Sequence, residues 1–250
     1  SSGIPELKKA VAAYYQERFG LTYAPKQILV GAGAKPLLYE ALGCLVNPGD
    51  EVLVPAPAWV SYLEQIHLFE GKPVVVETAP SGYLPTLEAL EKAVTPRTVG
   101  MLLNSPCNPT GGVLTMEQAL EIADVAVRHD LFVISDEIYE AFIFSGKHIP
   151  LSSLPGMKER TMTVGGLSKS HCMTGWRIGY AMGPAELLKV MTTLSVSQTF
   201  GVNTLAQKGG AFALATQDEK VKTRTAEFEK RIRYCAGRLN AMPGVSCPEP

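Results

Sequence analysis

Val164-Gly165-Gly166-Leu167-Ser168-Lys169-Ser170-His171-Cys172-Met173-Thr174-Gly175-Trp176-Arg177-Ile178-Gly179-Tyr180 runs from an apolar, β-branched stretch into a turn of small residues, with a lysine in the turn and an arginine eight positions on. A turn leaving an interior strand predicts a sheltered lysine. Desolvation favours the neutral amine, which is nucleophilic toward aldehydes, and Schiff-base lysines arise in this way. Arg177 adds a planar fork of donors suited to a phosphate. The same residues would also serve as an ordinary surface turn with an unremarkable Lys and Arg, so this stretch does not settle the matter by itself.

Outward from this turn, short apolar segments alternate with longer amphipathic ones. That alternation predicts helices on both faces of a mainly parallel sheet. Seven strands are expected, at residues 27–31, 51–54, 73–77, 99–104, 131–136, 161–165 and 177–182. Helices are expected at residues 5–19, 35–45, 59–69, 86–94, 115–129, 184–194, 203–215 and 218–239. Pro5 and Pro184 sit where prolines open helices comfortably. The strongest turn clusters are Asn47-Pro48-Gly49-Asp50 and the run from Ser105 to Gly112. No internal repeat or low-complexity linker breaks the chain.

The bulk properties narrow the function classes. With 250 residues, 46% of them hydrophobic, the chain can bury a large core. A net charge of -1 without a basic run gives no electrostatic case for nucleic acid or an anionic membrane, which leaves small molecules and other subunits as partners. The five cysteines are scattered and lack CxxC spacing, so a reducing, cytoplasmic compartment is expected and neither a disulfide framework nor a zinc site is indicated. His67, His129 and His148 have no ligand spacing and are expected to be surface or packing residues; no metal is expected. There is no apolar run long enough for a membrane span and no signal pattern in the first 20 residues. The chain begins without Met and stops at Pro248-Glu249-Pro250, so it is expected to be a fragment.

In a parallel α/β sheet, ligands collect outside the carboxyl ends of the strands. The polar residues at those ends are Gly33-Ala34-Lys35, Asn104 to Asn108, Asp136 to Tyr139, and Ser168-Lys169, and four strand ends are expected to converge on one crevice. Gly33, Ala34 and Lys35 open a helix, whose free N–H groups and dipole favour an anion. The run Ile28 to Gly33 also looks like the opening of a dinucleotide fingerprint, but Pro36 stands where a third glycine belongs and no acidic strand end follows, which argues against NAD. Taken singly, Asp136 could equally cap a helix, Asn108 could serve only the turn before Pro109, Tyr139 could be a core aromatic, and Trp59 a buried tryptophan at a helix start.

Together the segments resemble the fold-type I aminotransferases that use pyridoxal 5'-phosphate (PLP), of the aspartate aminotransferase kind. The resemblance rests on Ser2-Gly3-Ile4-Pro5-Glu6-Leu7, Gly33-Ala34-Lys35, Pro57-Ala58-Trp59, Asn104 to Gly111, Ser135-Asp136-Glu137-Ile138-Tyr139, and Ser168-Lys169 with Gly175-Trp176-Arg177-Ile178-Gly179, in that order along nearly the whole chain. It implies a three-layer α/β/α sandwich with a mainly parallel seven-stranded sheet. It implies Lys169 as the catalytic residue, which forms the Schiff base with PLP and shuttles a proton. Asp136 would keep the pyridine nitrogen protonated, because a nearby carboxylate raises its proton affinity. Asn108 and Tyr139 would bond the phenolate oxygen, Trp59 would stack on the ring, and Gly33, Ala34, Lys35, Ser168 and Arg177 would hold the phosphate. Trp59 and Asn108 would also border the substrate.

Two departures from close relatives stand out. Gly166 stands where some have serine, and Phe200-Gly201-Val202 replaces a Ser-Asn-Pro stretch near the subunit interface. The resemblance further implies that residues 1–240 form the PLP-binding large domain and that 241–250 start a truncated C-terminal small domain. An arginine for the substrate carboxylate would lie beyond Pro250. A closing segment, and a tyrosine given to the partner's phosphate site, would lie before Ser1. The fragment alone is thus expected to be inactive. The implied reaction is amino transfer between an amino acid and a 2-oxo acid, in a cytoplasmic homodimer of amino acid metabolism. A PLP-dependent β/γ lyase or synthase of the same fold, and an aminotransferase-like sensor domain of a transcription regulator, remain open at this point.

Overall fold

The computed structural model describes residues 2–248; Ser1, Glu249 and Pro250 lie outside the described residues. Among the described residues, seven strands form one sheet in the order β1-β7-β6-β5-β4-β2-β3. They are β1 (Ile28–Gly31), β2 (Glu51–Ala56), β3 (Lys72–Glu77), β4 (Thr98–Asn104), β5 (Phe132–Asp136), β6 (Thr161–Gly166) and β7 (Gly179–Met182). Only β7 runs against the rest, pairing antiparallel with both β1 and β6. The expected mainly parallel sheet is therefore present, and the carboxyl ends of the other six strands share one edge.

Alternate side chains along a strand point to opposite faces, and each face carries its own core. Leu102 and Ile134 pack with helices α2 (Ala34–Leu45), α3 (Ser61–Leu68) and α6 (Ala185–Thr199). Their neighbours Met101, Leu103 and Val133 pack on the other face with α4 (Leu87–Ala93) and α5 (Met116–Arg128). At the β1–β7 end, Ile28, Val30, Tyr180 and Met182 meet α1 (Pro5–Phe19) and α7 (Thr204–Thr216). The result is the three-layer α/β/α sandwich. A long helix α8 (Asp218–Asn240) follows, with most of its length exposed.

The connection after β2 runs through α3 on one face, and that after β4 runs through α5 on the other. Such a reversal opens a crevice at the strand ends. The polar residues at the ends of β4, β5 and β6 border it.

Several boundaries differ from the sequence reading. Helix α3 begins at Ser61, so Trp59 lies in the preceding turn, where its carbonyl accepts from Tyr62 N–H at 3.0 Å. Strand β7 begins at Gly179, so Arg177 lies outside it, with φ 54° after a single 3-10 turn at Thr174–Trp176. The physical cause is the close approach of β7 to the start of α2. A Cβ on Gly179 would overlap the backbone of Gly33 and Ala34, and the chain must bend sharply at Arg177 to enter this narrow place.

Candidate active site

The crevice contains a cleft of about 220 Å³ bordered by Ala34, Lys35, Trp59, Tyr62, Asn104, Asn108, Asp136, Tyr139, Ser168, Lys169, Thr174 and Arg177. The structure thus brings every site residue expected from the sequence into one place. Gly33 is the single one not bordering the cleft itself, and it caps α2 directly behind it.

Asp136 ends β5 and is only 3% exposed. Tyr62 donates its hydroxyl to Oδ2 at 2.7 Å, and the Ile138 N–H donates to Oδ1 at 3.2 Å. Both partners are neutral. Burial is the largest influence on this carboxyl and, although Tyr62 and Ile138 pull it back, it is pushed up to about 6. The Lys169 amine across the cleft favours the charged form only weakly against burial, and a cation arriving directly beside Asp136 would favour it further. The bond to Ile138 is a local turn contact; no helix follows β5, so Asp136 is not a helix cap.

Asn104 fixes the neighbouring turn. Its side chain donates to the Asp136 carbonyl at 2.8 Å and accepts the Asn108 N–H at 2.7 Å, which presents the Asn108 side chain at the cleft. The half-buried Tyr139 follows the turn after Asp136, and its ring faces the Lys169 amine at 5.5 Å from Nζ to centroid.

Lys169 corrects one expectation. Its residue is exposed in this chain, standing on the turn beyond β6 at the lip of the cleft, so burial is not what distinguishes it. Its position does, facing a buried carboxylate and an aromatic hydroxyl-bearing side chain across one cleft.

At the end suited to an anion, α2 begins at Ala34 with Gly33 as its cap at φ 98°, a region that favours glycine. A Cβ there would collide with the guanidinium of Arg177. Arg177 donates to the Thr174 carbonyl at 2.9 Å and to the Ala32 carbonyl at 3.3 Å, contacts that aim its five-donor fork without exhausting it. A helix start, a guanidinium and the Ser168 hydroxyl together form an anion cup. Lys35 Nζ lies 4.6 Å from the centroid of the Trp59 ring, and that ring meets Tyr62 edge-on at 5.4 Å.

Tyr62 escaped the sequence reading. No local pattern marks it, because its role comes from a bond between residues 74 apart in the chain. Among the histidines, His148 is a packing residue: its side chain is buried and its Nε2 lies 2.9 Å from Glu137 Oε2, a pairing the sequence did not indicate. No cluster of potential metal ligands occurs among the described residues.

A family model described as aminotransferase class I and II matches residues 1–250. The chain belongs to this family. It is 42% identical, over 99% of its length, to an aspartate/prephenate aminotransferase of Cereibacter sphaeroides, of which it spans 63%. It is 36% identical, over its whole length, to an asparagine--oxo-acid transaminase of Streptococcus mutans, spanning 64% of that protein. The crystal structure of the aspartate aminotransferase from Rhizobium meliloti superimposes with a TM-score of 0.97 at 40% identity, covering 100% of this chain and 63% of that one. The chain thus spans somewhat under two thirds of the relatives it matches.

Proposed function

We propose that the full-length protein is a PLP-dependent amino acid aminotransferase and that this chain carries its cofactor-binding domain. The reading rests above all on Asp136: a buried carboxyl with neutral partners, sharing one cleft with a lysine amine and an anion cup. The charge pattern fits PLP group by group. A phosphate suits the cup, a ring cation suits Asp136, and an aldehyde suits Lys169. Bound there, PLP would supply an electron-accepting ring that stabilises negative charge developing at an amino acid's α-carbon.

The chain's own residues then divide the work. Asp136 holds a proton on the ring nitrogen, and Tyr62 fixes the carboxyl in place. Asn108 and Tyr139 donate to the ring oxygen, and Trp59 covers the ring face. Ala34 and Lys35 offer helix-start N–H groups to the phosphate beside Ser168 and Arg177, with Gly33 leaving room. Lys169 would hold the cofactor at its aldehyde carbon, and its amine, when free, would be placed to take up and return the proton of a substrate α-carbon as general base and acid. Trp59 and Asn108 border the space left for the substrate.

We infer that residues 241–250 open a second domain, in keeping with the greater length of the relatives. Glu249 and Pro250 of that segment lie outside the described residues. A homodimer fits the apolar side chains that Phe200 and Leu205 expose, 84% and 77%. A cytoplasmic location fits five free cysteines, and no helix among the described residues is long and apolar enough to cross a membrane.

Relatives of similar identity are named for aspartate, prephenate and asparagine, so the amino donor is to be sought with a panel. Full-length protein loaded with PLP is expected to form glutamate from 2-oxoglutarate with at least one such donor. Ammonia release without glutamate would overturn amino transfer in favour of elimination.

A further inference from the structure

Asp136 is the last residue of β5 and Tyr139 lies in the irregular turn that follows, beyond the reach of the ladder, so something else must hold that turn against the cleft. Two buried carboxylates do so from behind. Glu137 is 1% exposed, and both its oxygens are engaged: Ser135 donates to Oε1 at 2.9 Å and His148 Nε2 faces Oε2 at 2.9 Å. Its N–H donates to the Val164 carbonyl at 2.8 Å, which ties the turn to β6, the strand leading to Lys169. Three residues on, Glu140 accepts the Tyr14 hydroxyl of α1 at 2.6 Å, and its N–H closes the turn on the Glu137 carbonyl at 3.0 Å.

We propose that Glu137, clamped by His148 and Ser135, is a positioning residue that sets Asp136 and Tyr139 for the cofactor. This inference rests on the proposed PLP site. Glu137 does not border the cleft and touches no reacting group; it acts through its neighbours on either side. A carboxylate taken this far from water is retained only with strong partners, and breaking such a pair is far more damaging than replacing it by a neutral group of the same shape.

The surroundings of the clamp are mixed in charge. Burial opposes a charge on His148, but Glu137 and Glu140 outweigh it and raise its proton affinity. Asp136 and Glu140 lie on the same turn as Glu137. Tyr14, Tyr15 and Arg18 approach this region from α1, and Tyr180 approaches from β7. The Phe19 ring meets His148 at 5.4 Å between centroids.

The test uses full-length protein, with PLP affinity measured by titrating the apoprotein and a pH titration of the bound cofactor's visible absorbance. Glu137→Ala strands Ser135 and His148, and is expected to weaken PLP binding by roughly tenfold or more. It should also shift the pH at which the absorbance titrates, because Asp136 and Tyr139 no longer approach the ring correctly. Glu137→Gln keeps the shape and can accept or donate toward both neighbours, and should restore affinity to within about threefold of wild type. If Glu137→Ala does not accumulate as folded protein, His148→Ala removes one side of the clamp and should likewise weaken PLP binding and move the absorbance titration away from its wild-type pH. Wild-type affinity and an unmoved titration in whichever of the two variants folds would overturn the inference. Failure of the wild type itself to bind PLP would instead overturn the proposed function.

Discussion

Replacing Asp136 by Asn should remove a pH dependence of stability that the cofactor-free protein carries. The carboxyl is raised from an ordinary 3.8 to about 6, chiefly by burial. Between those values the folded state keeps a proton that the unfolded chain has released, so this group's contribution falls as pH rises through the window. At 1.36 kcal/mol for each tenfold change in proton affinity, the loss is about 3 kcal/mol once the pH exceeds the folded value. Asparagine never ionises. It can accept from only one of the two donors, Tyr62 and the Ile138 N–H, which adds a pH-independent cost of roughly 1–2 kcal/mol. The stability of wild type minus that of Asp136→Asn should therefore decline by about 3 kcal/mol between roughly pH 3 and pH 7.

Urea unfolding of the full-length apoproteins, followed by the fluorescence of Trp59 and Trp176, reads this difference. Glu40, pushed up to about 7 by its own burial, titrates in both proteins and cancels in the subtraction. With PLP bound, the decline should disappear, because a ring cation then favours the ionised carboxyl. A difference flat to within about 0.5 kcal/mol across the range in the apoproteins would refute the reasoning.

Two other perturbations probe neighbouring parts of the site. Gly179→Ala drives a methyl into the backbone of Gly33 and Ala34 and should cost about 1–3 kcal/mol together with a loss of PLP affinity; thermal unfolding and cofactor titration at wild-type values would contradict it. Tyr62→Phe removes a donor that stabilises the Asp136 carboxylate, so the pH window of the difference curve should move upward when the comparison of Asp136 with Asp136→Asn is repeated with Tyr62→Phe present in both proteins. An unmoved window would show that the 2.7 Å bond has no influence on Asp136.

Much of this arrangement is legible in the sequence because strands and helices have periods that mark their buried faces. All seven strands fall where apolar runs lie, and Asp136 and Asn104 end strands as read. Asp136 needs only its place at a strand end to be found. Tyr62 needs the crossing of α3 over the end of β5, a contact between residues 74 apart in the chain, and no periodicity encodes it. The same holds for His148, whose pairing with Glu137 depends on how an irregular segment folds back. Lys169 shows the opposite failure. Its apolar leader predicts burial, yet that leader is β6 itself, and the lysine stands beyond it on the open side of the turn. Arg177 reads as strand by composition, while the close approach of Gly179 to Gly33 forces it into a bend.

The central claim is that Lys169 carries the cofactor. Full-length protein incubated with PLP, reduced with borohydride and digested should yield a phosphopyridoxyl group on the peptide containing Lys169, and Lys169→Ala should lose both that label and the visible absorbance of a lysine Schiff base. A label on another lysine of the wild type, such as Lys35, or a visible band that survives in Lys169→Ala, would contradict the account.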